Sequence, residues 1–213
     1  MAIKTKPYPA TLNIDYPAKL NRWTTLFRLI LALPIIAIFA ILTATGGGEY
    51  TNEAGQQMVQ SGGGIVAGLF LATVLMILFR RRYPRWWFDF NLELNRFSTR
   101  VGAYALLLTD TYPSTVEKQS VHLDIEYPDV KTDLKRWMPL VKWFLAIPHY
   151  VVLLILSAGV IFATILAWFA ILFTGRYPKD LFDFVVGVNR WGLRVMAYAF
   201  LLTTDQYPPF SLK

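Results

Sequence analysis

Lys and Arg are all but absent from four apolar stretches, Thr24–Thr43, Ile65–Phe79, Leu140–Leu156 and Gly159–Phe173, and they crowd the segments outside them. The stretches hold two cations, Arg28 and Lys142, each near an end. The connectors within each pair, Ala44–Gly64 and Ser157–Ala158, hold none. Cationic loops stay in the cytoplasm during insertion, so all 21 Lys and Arg residues fit on one side of a bilayer. The pattern predicts two membrane hairpins, with both termini and the central segment inside. A mean hydropathy of +0.40 and 55% apolar residues exceed what a soluble domain needs. The net charge of +7 lies beside the apolar stretches, where anionic inner-leaflet lipid is a nearer counter-ion than nucleic acid. The first twenty residues hold no continuous apolar segment of the kind a cleavable signal needs. Insertion is therefore expected to begin at the first span.

The chain repeats itself once. Asp15-Tyr16-Pro17 answers Glu126-Tyr127-Pro128, and Arg22-Trp23 answers Arg136-Trp137. Arg82-Tyr83-Pro84 and Phe88-Asp89-Phe90 answer Arg176-Tyr177-Pro178 and Phe182-Asp183-Phe184. Asn95-Arg96, Arg100 and Ala103-Tyr104-Ala105 return as Asn189-Arg190, Arg194 and Ala197-Tyr198-Ala199. So many matches in one order mark a duplication. Seven of the 12 prolines follow Tyr, and proline disfavours helix in the residue before it, so each Tyr-Pro reads as an element boundary.

Each half then reads as one unit: an opening strand (Thr11–Tyr16; His122–Tyr127), a basic Trp-bearing lead-in, two spans, Arg-Tyr-Pro, a long helix and a strand-like tail (Ser114–Lys118; Pro209–Leu212). Trp143–Phe173 runs 31 residues without Lys, Arg, Asp or Glu. As one helix it would measure about 46 Å against a hydrocarbon core of about 30 Å, so Ser157-Ala158-Gly159 is expected to turn it into two spans. The tail of the first half is expected to pair with the opening strand of the second in a four-stranded sheet. The Gly-rich loop Gly46–Gly64 reads as a flexible linker.

The helices 86–108 and 181–202 are long enough to span. Spanning would bury Arg96, Arg100, Arg190 and Arg194 at about 2.5–3.5 kcal/mol each, and would carry Lys131, Lys135, Arg136 and Lys142 outside. They are expected instead to lie in the cytoplasmic interface, apolar face to acyl chains and hairpins. The fold expected is thus an all-α membrane protein of two tandem repeats, 1–113 and 114–213. Each repeat is a transmembrane helical hairpin plus a cytoplasmic interfacial amphipathic helix, with a small cytoplasmic β-sheet.

Two basic features are candidate lipid or anion sites. Arg96 with Arg100, and Arg190 with Arg194, stand one turn apart and fit a fork onto phosphate. Asp89 and Asp183 lie on the same stripes as supporting acids, and an intrahelical Asp–Arg network is the alternative use of those charges. Arg80, Arg81, Arg82 and Arg85 form the densest cluster, beside Trp86-Trp87, and read first as a membrane anchor and second as an anionic-lipid contact. His149 has no partner at helical spacing, and no paired His, P-loop or nucleophile elbow occurs, so no catalytic residue, metal or cofactor is expected.

Tyr-Pro with the basic Trp lead-ins, Ile147-Pro148-His149, Arg-Tyr-Pro with Phe-Asp-Phe, and the Asn-Arg…Arg…Ala-Tyr helices together resemble a family of bacterial membrane proteins, domain of unknown function 4389. The resemblance covers nearly the whole chain, one copy per half, with Ile35 where the second copy has His149. It implies membrane residence and supplies no activity; the location expected is the bacterial inner membrane. The function expected is that of a non-catalytic scaffold or accessory subunit, in a larger membrane assembly or a homo-oligomer, with its cytoplasmic face on anionic lipid. The alternatives are a small lipid or anion transporter using the Arg stripes, and a membrane enzyme with a site around Asp89 and Asp183.

Overall fold

A computed structural model describes residues 8–43, 47–51, 57–61, 65–115, 117 and 119–213. The chain is mostly helical. Strand β1 (Ala10–Ile14) leads to a short helix α1 (Arg22–Leu26) and then α2 (Arg28–Thr43). A ribbon of β2 (Gly47–Thr51) and β3 (Gln57–Ser61) follows, then α3 (Ile65–Leu75), whose last turn loosens to a π-helix over Met76–Arg80. The remainder is α4 (Arg85–Ala105), β4 (Val121–Ile125), α5 (Pro139–Leu145), α6 (Ile147–Thr174) and α7 (Lys179–Ala199).

The second hairpin differs from expectation. Residues 147–174 form one continuous helix, with no turn at Ser157-Ala158-Gly159. Nothing there stops a helix: the Ser157 hydroxyl donates back to the Leu154 carbonyl at 2.7 Å. Gly159 serves packing instead, since a Cβ on it would stand 3.2 Å from the ring of Phe184 on α7. The break falls earlier, at Ala146, where Pro148 needs no amide partner in the first helical turn. The first stretch also divides, into α1 and α2, while Pro34 is carried inside α2. The Gly-rich connector is not a plain linker, because β2 and β3 pair antiparallel from Gly47↔Ser61 to Thr51↔Gln57; its residues 46, 52–56 and 62–64 lie outside the described residues, as do 1–7 of the N-terminal reading.

The sheet is a second correction. The two opening strands pair with each other, antiparallel, Ala10↔Ile125 through Ile14↔Val121. The tails are not strands: residues 114, 115, 117 and 209–212 are irregular, with 116 and 118 outside the described residues. Alternation explains the pairing. Ala10, Leu12 and Ile14 are buried, as are Val121, Leu123 and Ile125, so one face of the ribbon is wholly apolar, each fully buried Leu or Ile contributing roughly 1.5–3 kcal/mol. That face is covered crosswise, β1 by α7 and β4 by α4. Each half therefore lends its strand to the long helix of the other, and the local two-fold runs through Leu12↔Leu123.

The two long helices end earlier than expected, at Ala105 and Ala199, where the chain turns through left-handed Leu107 (φ 63°) and Leu202 (φ 58°). Their apolar sides pack largely against protein. Val185, Val186, Trp191, Val195 and Ala199 of α7 are all buried, under α6, β1 and the C-terminal segment. A methyl group on Gly187 would lie 2.9 Å from the Leu212 carbonyl oxygen, so that segment presses directly on the α7 backbone.

The fold leaves many large apolar side chains bare. Leu29 (80% exposed), Leu154 (73%) and Phe173 (78%) stand out from α2 and α6. Only 17% of the most apolar window of α6 is buried. Among the described residues, Ile147–Thr174 is the one helix long and apolar enough to cross a membrane, and Arg28–Ala40 and Ala67–Arg80 are shorter apolar helices.

Candidate functional site

The Arg stripes face the ribbon. Arg190 Nε donates to the Leu12 carbonyl at 2.9 Å, and Arg96 Nε donates to the Leu123 carbonyl at 3.0 Å, the same bond made twice across the local two-fold. Arg100 donates to the Ser114 carbonyl at 2.7 Å and Arg194 to the Ser211 carbonyl at 3.3 Å. Arg190 also reaches the Leu212 carbonyl at 3.2 Å. These guanidinia occupy carbonyls of the two tails, at Ser114, Ser211 and Leu212. The acids are used elsewhere than the stripe spacing suggests: Asp89 pairs with Arg85 at 3.2 Å and Asp183 with Lys179 at 2.7 Å. Glu93 takes Arg96 at 2.6 Å, and Asp124 also lies 3.3 Å from Arg96. Burial, and then Arg190 one turn away, lower the pKa of Arg194 from its ordinary value.

Four tyrosines latch the halves together. The Tyr16 hydroxyl donates to the Tyr177 carbonyl at 2.5 Å, and the Tyr127 hydroxyl donates to the Tyr83 carbonyl. Phe182 packs edge-on against Tyr16 and Tyr177, and Phe88 against Tyr127 and Tyr83. Lys179 sits 5.0 Å over the Tyr16 ring and Arg85 sits 4.7 Å over Tyr127. The Arg-Tyr-Pro and Phe-Asp-Phe motifs are thus one device: the Asp holds the cation that caps the ring. Burial pushes the phenols of Tyr83 and Tyr177 up to about 12, from an ordinary value near 10. Both states hold these phenols neutral below pH 10. Between about 10 and 12 the unfolded chain ionises first, so stability should fall as pH rises through that window. Unfolding followed from pH 9 to 12 should show a shallower loss in Tyr83→Phe/Tyr177→Phe; an unchanged slope would refute the assignment.

A second duplicated device escaped the sequence reading. Arg28, 2% exposed, reaches Asp110 at 2.5 Å and the Thr109 carbonyl at 2.9 Å, with Tyr104 4.1 Å beneath it. Lys142, fully buried, lies 2.7 Å from Asp205 in ion-pair contact, bonds the Thr204 carbonyl at 2.8 Å and has Tyr198 at 5.4 Å. Each carboxylate also takes a backbone amide, Asn21 at 2.6 Å and Lys135 at 2.7 Å. The available signal was position: the only two cations inside the apolar stretches stand at equivalent places in the repeat.

Arg80, Arg81, Arg82 and Arg85 come together differently. With Lys131, from the lead-in of the second half, they line an open cavity of about 790 Å³. Arg85 is engaged by Asp89 and Tyr127. The guanidinia of Arg80, Arg81 and Arg82 and the Lys131 ammonium have no hydrogen-bonding or ion-pair partner among the described residues. Arg81 is left-handed (φ 48°), a conformation uncommon for a residue with a side chain. The one acid in the lining, Asp129, caps its own turn by accepting from the Lys131 amide at 2.9 Å. The arrangement suits an anion. Among the described residues no group of three or more His, Asp or Glu side chains could hold a metal. His149 is buried: its Nδ1 accepts from the Trp191 indole at 3.0 Å, and its ring stacks on Phe210 at 4.0 Å.

No curated protein and no solved structure matches the chain. Residues 136–211, running from the lead-in Arg136 through α5, α6 and α7 into the C-terminal segment, are similar to a family described as a domain of unknown function (DUF4389).

Proposed function

We propose that the protein is a non-catalytic membrane-embedded scaffold or accessory subunit, inserted by its bare apolar helices, with its cationic face on anionic lipid. The observation that carries this reading is the adjacency of two surfaces. The apolar run of α3 ends directly in Arg80-Arg81-Arg82, whose side chains have no partner among the described residues and share a cavity with Lys131. Water does not favour the first surface, and anionic head groups suit the second, each cation contributing about 1 kcal/mol near such a surface. The first half is read as a diverged copy of the matched domain, because its latch and buried ion pair repeat those of the second. The bacterial inner membrane is the setting proposed, with the cations and both termini inside.

Native mass spectrometry of the protein, extracted in mild detergent from its own membrane, tests this. The expected result is bound anionic lipid, together with partner subunits or further copies in fixed ratio. A bare chain of 24.4 kDa, carrying neither, would overturn it.

A further inference from the structure

The turn that bears Arg81 has a counterpart. Gly175 takes φ 74° at the same place in the second half, after the last turn of an apolar helix and before Arg-Tyr-Pro. Around it Lys19, Arg22 and Arg176 line a cavity of about 410 Å³, with Leu20 and Thr174, and no acid belongs to the lining. The side chains of all three cations are exposed and make no hydrogen bond or ion pair among the described residues. The two cavities are assembled alike. The first takes arginines from the end of α3 and Lys131 from the lead-in of the second half; the second takes Arg176 from the end of α6 and Lys19 and Arg22 from the lead-in of the first. In each case a tyrosine latch draws the other half's lead-in against the helix end.

Three like charges lining one cavity without an acid repel one another, weakly where water screens them, and an anion would join them. We infer that Lys19, Arg22 and Arg176 form a second phosphate-binding site, so that the protein engages two phosphate groups, one at each end of the β1–β4 ribbon. The ligand class is a phosphate ester or phosphate itself, bound by forked guanidinium contacts from Arg22 and Arg176. The inference rests on the reading of the cationic face as a lipid-binding one, and adds a site to it.

Calorimetric titration of the detergent-solubilised protein with dioctanoyl phosphatidic acid, and separately with inorganic phosphate, tests it, with dioctanoyl phosphatidylcholine as control. The wild type should take up two equivalents of the acid and none of the choline lipid. Arg22→Gln/Arg176→Gln should lose one equivalent, with binding at that site at least tenfold weaker, and Arg80→Gln/Arg82→Gln should lose the other. Lys135→Gln, which removes a cation outside both cavities, should change affinity less than twofold. Uptake of inorganic phosphate at the same two sites would support the assignment and make the phosphate group alone sufficient; uptake of the lipid only would support it and require the glycerol ester. A single equivalent untouched by Arg22→Gln/Arg176→Gln would overturn the second site and leave the first standing. Equal losses in Lys135→Gln would replace both sites with diffuse attraction, and no uptake at all would sink the lipid reading with them.

Discussion

Asp205→Ala is expected to destabilise the fold by about 3–5 kcal/mol, the cost of leaving a buried charge without its partner. Lys142 is fully buried, and its ammonium has one carboxylate, Asp205, and one carbonyl, that of Thr204. Removing the carboxylate strands the cation beneath Tyr198 and frees the Lys135 amide as well. Asp110→Ala should cost less, because the Asp110 side chain is 28% exposed and water substitutes in part. Lys142→Met/Asp205→Leu should recover most of the loss, since a well-packed apolar pair replaces a buried ion pair at little or no cost. Guanidinium unfolding in detergent, followed by far-ultraviolet dichroism, measures all three. A loss below about 1 kcal/mol for Asp205→Ala would show that the pair is solvated in the folded protein.

Arg190→Met separates structure from ligand binding in the Arg stripes. In the fold described above, the guanidinium holds the Leu12 and Leu212 carbonyls, 178 and 22 residues away in the chain. Charge-assisted hydrogen bonds contribute about 1.5–3 kcal/mol each, so the variant should lose roughly 2–4 kcal/mol. Lipid uptake by the fraction that remains folded should not change. Arg190→Lys keeps the charge but not the planar fork, and should fall between the two in stability. If instead anionic-lipid binding collapses while the unfolding midpoint holds, Arg190 serves a phosphate, and the stripe belongs with Arg80–Arg82 in the binding face.

Much of the secondary structure was legible. Every Tyr-Pro marks an element boundary or an irregular segment, as the restriction on the residue before proline requires. The alternation in 11–16 and 122–127 identifies both strands. The long helices appear within three residues of their expected limits, because an apolar stripe at a period of 3.6 is a local property. The second hairpin was misjudged from the length of the apolar run. Ser157-Ala158-Gly159 has the composition of a turn, yet its glycine lets Phe184 pack close against α6. Small residues permit a turn or a close approach, and a neighbour far along the chain selects between them.

The candidate site divides in the same way. The cluster at 80–85 was visible because its cations are contiguous, whereas Lys19, Arg22 and Arg176 meet only after the tyrosine latch closes over about 160 residues of chain. The stripes were visible as two arginines one turn apart, but not what they bind, since main-chain carbonyls leave no trace in a sequence. By itself the sequence determined the apolar stretches, the placement of all but two cations outside them and the internal repeat, because hydropathy and repetition are summed residue by residue. Only the tertiary structure decided that the halves exchange strands, that Arg28 and Lys142 lie in buried ion pairs, and which arginines have no partner among the described residues. Those outcomes depend on which distant backbone oxygen or carboxylate reaches each cation first, and packing alone determines that distance.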